Sequence, residues 1–393
     1  MNILRIVYDW PDKNNITTGL APAPYELSIA QSKLGHKIFV LCGNLNKKNI
    51  VSRKFKYELE DGKIVVYNLP RGLKGFGPFL TSSIFVLPFY FYLRLFKKID
   101  IVHNQGHMGV WLLLYKYIFR FLDTIKIVGH FHNTAKGREN AIVKSGDKID
   151  FMSKYFEYPI HKMSDKLSTK VCKALITVSK GNCEELVDLY GADKNKVYVV
   201  ESGVNTDRYK KEGEKVDIGF SNKDTILGNL GLLSRRKRIH LILQALTILP
   251  ENYKLCLWGK WDTEYQKELS EIIKKSNLKD RIQYFGEIPY FESDKAYRSI
   301  DIFLLPSSYE GLPKVVLEAL ACGDKVVASG FTTEKSMDNL LLQDISGSNE
   351  LSKIIVTAKK SKDGYKQTRQ VIERYYSWDS KAQEIDLIYN KII

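Results

Sequence analysis

Two glutamates, Glu310 and Glu318, lie in the string PSSYEGLPKVVLEALACG at residues 306–323. The apolar run before it, at 301–305, reads as a buried strand. Pro313 suits the first turn of a following helix, where its missing N–H costs nothing. Gly323 suits the residue just past that helix's end. The segment is therefore strand, glycine-containing loop, then helix, and in an open α/β sheet such a loop lies at the ligand crevice. A helix start offers unpaired N–H groups, expected here near Lys314, Val315 and Val316, and the positive end of the helix dipole. That combination suits a diphosphate. Carboxylates beside a diphosphate repel it unless they accept hydrogen bonds from sugar hydroxyls, so Glu310 and Glu318 could each grip one end of a sugar nucleotide. The plainer reading is a strand–turn–helix unit carrying two surface glutamates.

Other residues carry complementary chemistry. Lys237 closes the segment GLLSRRK at 231–237, between a strand and a helix. A cation there would neutralise charge that builds on a departing diphosphate. Arg235, Arg236 and Arg238 flank it, and which of them points inward is open at this level. His132 ends a strand at 126–130, with His130 as its nearest competitor; His103, on an earlier strand, reads as structural. The histidine spacing is unlike a metal site and no D-x-D motif occurs, so no metal is expected. Gly19 lies in the loop after the first strand and is weak evidence alone.

The elements that must position these residues alternate. Strand-like runs occur at 2–8, 37–42, 63–68, 100–103, 126–130, 174–178 and 197–200, with helical stretches such as 24–34 and 181–190 between them. The alternation restarts at 225–230, 254–258, 282–285, 301–305 and 325–329, and after 349 the chain is helical. This predicts α/β architecture with parallel sheets covered on both faces. A chain of 393 residues exceeds one ordinary core, so two domains are expected, with a boundary near 203–215.

Composition narrows the class. Hydrophobic content of 44% is globular. Five scattered cysteines, never in a C-x-x-C pair, disfavour a disulfide framework or zinc site and fit a reducing cytoplasm. The start, MNILRIVYDW, reads as a first buried strand rather than a signal peptide. Residues 1–200 hold 30 Lys or Arg against 17 Asp or Glu, whereas 201–393 hold 30 against 28. The excess of positive charge thus sits in the first half. No nucleic-acid-binding motif accompanies it, so an anionic membrane surface or phosphate-bearing acceptor is the better match. Residues 76–93 carry no charge and are followed by Arg94, Lys97 and Lys98. Pro88 and the surrounding alternation favour a crossover helix over a membrane span, and a basic-edged helix resting on a membrane is the sharper alternative. Residues 110–122 fit either reading.

The spacing of Glu310 and Glu318 in that setting resembles the E-x7-E motif of retaining GT-B glycosyltransferases, most closely glycosyltransferase family 4. Similarity continues through Gly35-His36, the strand Asp100-Ile101-Val102-His103, ALITVS at 174–179, ESGVN at 201–205 and Trp378 before the last helix. Ser202 and Asn205 stand where Asn and Asp are more usual. The segment at 231–237 is similar to the family's G-R-L-x-x-x-K, with Leu232 in place of its Arg. Only one glycine, Gly19, occupies a loop where the family usually has two.

The resemblance implies two Rossmann-like domains facing across a cleft: 1–205 for the acceptor, 206–375 for the nucleotide sugar, and a last helix at 376–393 crossing back to the first. It implies that Glu310 and His132 act at the reacting sugar. The implied donor set is Gly19, Arg236, Lys237, Glu310, Gly311, Leu312, Pro313, Lys314, Val315 and Glu318. Base recognition falls near 259–260 and 286–288, and acceptor recognition includes 135–165. The implied activity is sugar transfer, with retention, from a nucleotide sugar to a glycan or lipid-linked saccharide in cell-envelope polysaccharide or glycoconjugate synthesis. The setting is cytoplasmic, with a peripheral place on the membrane's inner face. The alternatives are a GT-B sugar-nucleotide epimerase or a non-catalytic partner subunit of the same fold. A dehydrogenase is disfavoured because no G-x-G-x-x-G follows the first strand.

Overall fold

The computed structural model describes residues 1–11, 22–45, 54–71, 78–144, 151 and 153–393. The chain divides into two compact units. One comprises Met1–Glu201 with Trp378–Ile393, and the other Ser202–Ser377.

The first unit is built on β1 (Asn2–Val7), α1 (Pro22–Lys33), β2 (Lys37–Leu45), β3 (Lys56–Leu59), β4 (Ile64–Pro70), α2 (Pro78–Lys97), β5 (Ile101–Gln105), α3 (Val110–Ile118) and β6 (Lys126–Phe131). It continues through α4 (Ala135–Lys144), α5 (Tyr158–Val171), β7 (Ala174–Thr177), α6 (Lys180–Tyr190) and β8 (Val197–Val199). The described strands form one sheet in the order β3-β4-β2-β1-β5-β6-β7-β8. All neighbours are parallel except β3, which pairs antiparallel with β4. Strand alternation explains the two cores. Leu4 and Ile6 of β1 join the α2, α3 and α5 side, and Ile3 and Val7 join the α1 side. The edge strand β3 alternates exposed and half-buried residues, too weak an apolar signal to stand out in the sequence.

The second unit holds β9 (Thr225–Leu230), α7 (Ile239–Ile248), β10 (Tyr253–Trp258), α8 (Thr263–Lys275), β11 (Ile282–Gly286), α9 (Ser293–Arg298) and β12 (Ile302–Pro306). After these come α10 (Lys314–Cys322), β13 (Lys325–Ser329), β14 (Leu340–Leu342), α11 (Ser348–Lys360) and α12 (Tyr365–Val371). Its parallel sheet runs β11-β10-β9-β12-β13-β14. Strand β12 has Ile302 and Leu304 in one core and Phe303 and Leu305 in the other, so all four are covered.

The last helix, α13 (Trp378–Ile392), belongs to the first unit. Trp378 opens this helix rather than preceding it. Its Trp378, Ala382, Ile385, Ile388 and Tyr389, at helical spacing, pack in the core shared with α1.

Candidate functional site

In the second unit the carboxyl ends of β9, β12 and β13 feed one cluster. Pro313 lies immediately before α10, at φ −75°, rather than inside its first turn. No side chain caps this helix start. The Val316 N–H, expected to be unpaired, donates to the Pro313 carbonyl at 3.0 Å. The tight first turn uses that donor internally. Gly323 ends the helix at φ 94°, the left-handed position that glycine takes without strain.

The two glutamates are not surface residues. Glu318 is 9% exposed and its Oε2 accepts a 2.8 Å hydrogen bond from the Tyr297 hydroxyl. Tyr297 is fully buried, and burial together with Glu318 raises its pKa well above 10, so the hydroxyl remains a donor. Glu310 has a side chain only 15% exposed and meets Arg236 Nη1 at 2.6 Å. Ser307 Oγ donates to the same carboxylate at 3.1 Å. The Glu310 N–H donates to the Gly330 carbonyl, and a Cβ at Gly330 (φ +85°) would strike Ser307 O and Tyr309 N. Gly330 therefore lets β13's end press the glutamate loop into place. Gly311, Pro313, Lys314 and Val315 are half-buried around the helix start. Leu312 is 6% exposed and packs in the core.

The basic segment sorts its charges by backbone geometry. Arg238 adopts a left-handed conformation (φ 50°, ψ 46°). Its guanidinium donates to the carbonyls of Pro306, Ser307 and Ile345 and to Ser329 Oγ, so it braces the loop. Arg235 turns outward to Glu268 at 2.6 Å, with the two side chains 49% and 41% exposed. Arg236 is the arginine that reaches Glu310, and it also donates to the Tyr309 carbonyl. Leu232, at the position of the family arginine, is 54% exposed. Lys237 is buried at 8% exposure, and its Nζ lies 3.5 Å from Leu230 O. Burial lowers its pKa to about 8, opposed by Glu310 and Glu318 and assisted by Arg236. Gly231 adopts φ +127°, a conformation that favours glycine, and a Cβ there would meet Lys237 Nζ and displace the ammonium from its present position. Nearby, Gly259 N–H donates to the Gly286 carbonyl at 2.7 Å, and a Cβ on Gly259 would overlap Gly231 O. Close-packed backbone thus forms the region expected to read a base.

In the first unit His132 follows β6 and is half-buried. Its ring stacks on His130 with centroids 5.0 Å apart and planes 16° apart. His130 Nδ1 lies 3.0 Å from His103 Nε2, and His103 Nδ1 meets the Tyr389 hydroxyl of α13. His103 and His130 are buried, and desolvation leads the causes that lower both pKa values well below 6.5. A neutral imidazole column therefore leads from the last helix to His132. Gly19 lies outside the described residues. Among the described residues, no group of three or more His, Cys, Asp or Glu could hold a metal ion.

Both halves of the chain match family models. Residues 18–208 match the model described as Glycosyltransferase Family 4, and residues 210–336 match Glycosyl transferases group 1. A D-inositol 3-phosphate glycosyltransferase from Xylanimonas cellulosilytica is 26% identical over 63% of this chain and 59% of its own length. The matches to the first curated relatives span only 58%, 59% and 51% of those proteins. Among solved structures, sucrose-phosphate synthase from Thermosynechococcus elongatus aligns with TM-score 0.77 at 18% identity, covering 99% of this chain and 98% of its own. Anabaena HepE, solved in complex with UDP-glucose, aligns with TM-score 0.69 at 16% identity over the whole of both chains. Two parallel α/β sheets, full-length structural neighbours and family matches to each half together show that the chain belongs to the group 1/family 4 glycosyltransferases of the GT-B fold.

Proposed function

We propose that this protein transfers a sugar from a nucleotide-sugar donor to a hydroxyl acceptor with retention of anomeric configuration. The proposed acceptor is a glycan or lipid-linked saccharide, in the synthesis of a cell-envelope polysaccharide or glycoconjugate. We place the reaction in the cytoplasm, with the protein peripheral on the membrane's inner face. One observation carries the reading: the buried ammonium of Lys237 and the Arg236–Glu310 pair converge beside the start of α10, with Glu318 buried on the same helix.

In this mechanism the bond between the anomeric carbon and the diphosphate oxygen breaks as the acceptor oxygen bonds to that carbon. The departing phosphate oxygen takes the acceptor proton. Lys237, Arg236 and the helix start stabilise the growing negative charge. Glu310, fixed by Arg236 and Ser307, accepts from sugar hydroxyls, and Glu318, fixed by Tyr297, accepts from the ribose. His132 is assigned to the donor sugar by resemblance. The complex of HepE with UDP-glucose supports a nucleotide sugar as the ligand class.

A thermal-shift panel of nucleotide sugars tests the reading, since a ligand selective for the folded state raises its stability. The hit is then incubated with and without saccharide acceptors, and the product anomer is read by NMR. Acceptor-dependent transfer with retention is expected. Sugar conversion with donor alone, or inversion at the anomeric carbon, overturns it.

A further inference from the structure

We infer that the outer ends of α2 and α3 form a docking surface for an anionic lipid bilayer. Helix α2 exposes Leu95 and Phe96, and the turn after α3 exposes Phe121 and Leu122, at 76%, 62%, 82% and 78% respectively. Side chains exposed to this degree project from the surface, whereas residues lining a groove are covered by its walls. The two helix ends are continuous: Phe91 of α2 lies 5.1 Å from Tyr115, which lies 5.5 Å from Phe119.

This arrangement is fixed from within. The Tyr90 hydroxyl and the Lys116 ammonium both engage Asp123, and Arg94 donates to the Ile99 carbonyl at 2.8 Å. Val86, Tyr90 and Leu93 lie in the core, so α2 is held as a crossover helix although Phe79–Lys97 is long and apolar enough to span a bilayer. The turn cannot bury its outer apolar residues without dismantling those contacts.

Charge identifies the occupant. Lys98 and Arg120 are exposed among the apolar residues, and the Arg120 guanidinium sits 4.7 Å from the Phe121 ring centroid. Lys170, also exposed, lies 5.5 Å from the Tyr117 ring centroid. Of the nearby acids, Asp123 is turned inward and Asp100 accepts from the Asn2 N–H. A protein interface would bury these cations, and lysine, present here as Lys98 and Lys170, is depleted in such interfaces. A bilayer lets aromatic and aliphatic tips enter the acyl boundary while lysine and arginine stay among headgroup phosphates. The surface deepens the membrane placement proposed above and does not depend on the donor chemistry.

Flotation of the whole protein with phosphatidylcholine vesicles, with and without phosphatidylglycerol, tests the inference at low and high salt. Binding is expected to need phosphatidylglycerol and to weaken with salt. Lys98→Glu and Arg120→Glu each weaken it about fivefold or more. The paired change Phe121→Ser, Leu122→Ser weakens it about tenfold or more. These exposed sites leave nucleotide-sugar binding, read by thermal shift, unchanged, so a failed donor reading is distinguished from a failed membrane one. Equal flotation of wild type and variants overturns the inference. So does self-association by light scattering that these variants abolish while no vesicles are bound.

Discussion

Lys237 in one unit and the pair His103–His130 in the other are all buried, yet their surroundings are opposite in kind. Around Lys237 stand two carboxylates and a second cation, and the ammonium keeps a pKa of about 8. Around the histidines stand a tyrosine hydroxyl and other imidazoles, while Arg5 adds a repulsive charge. Burial there removes the charge altogether. The difference teaches that this fold keeps a buried charge where carboxylates and a second cation surround it, at the place we propose for an anion. It keeps neutral hydrogen-bonding groups where only imidazoles and a hydroxyl are close.

Removing a member of the charged cluster should have the largest effect. Glu310→Ala loses the proposed grip on the sugar and leaves Arg236 without its carboxylate. Transfer should fall about 10²–10³-fold, measured as kcat/KM. Glu318→Ala loses a charged acceptor to the ribose and leaves the buried Tyr297 hydroxyl unpaired. Donor binding by calorimetry should weaken about 10–100-fold. On the neutral side, Tyr389→Phe deletes the hydroxyl that meets His103 at the base of the column. Denaturant unfolding should show a loss of about 1–3 kcal/mol, with donor affinity unchanged. Arg235→Ala should do least, since its pair with Glu268 is exposed; stability should change by no more than about 1 kcal/mol and activity by less than about threefold. If Arg235→Ala costs as much as Arg236→Ala, the sorting of charges by the Arg238 turn is wrong.

The strand–loop–helix placement of Glu310 and Glu318 was legible because Pro313, Gly323 and the apolar run before them are local signals. The parallel α/β alternation was legible for the same reason. What the sequence hid is set by contacts between distant residues. Tyr297 reaches Glu318 from another helix, 21 residues away. The choice of Arg236 over its neighbours follows from the left-handed Arg238, whose guanidinium is tied to the Pro306 carbonyl at the end of β12, 68 residues away. The Tyr389–His103 contact joins residues 286 positions apart. Gly330 carries a signal only in hindsight, as a glycine just after a buried strand. Strands β3 and β14 are short and their residues only partly buried or exposed, so no strong apolar period marks them.

Lys237 is the buried cation proposed here for a donor diphosphate. Its folded-state pKa lies below the ordinary lysine value of 10.5. The amine is therefore charged below about pH 8 and loses its proton as pH rises through that value. Burial of the charged amine thus weakens the folded state at lower pH, and this cost is relieved between about pH 8 and 10.5 as the folded-state amine becomes neutral. Ligand binding has the opposite sign, because the diphosphate needs the proton. The direct measurement is nucleoside-diphosphate affinity by calorimetry across this range, for wild type and Lys237→Met. Wild-type affinity should fall up to about tenfold per pH unit above pH 8, while the variant binds weakly with no such slope. Equal affinity of the two proteins, or the same pH slope in both, would contradict the account.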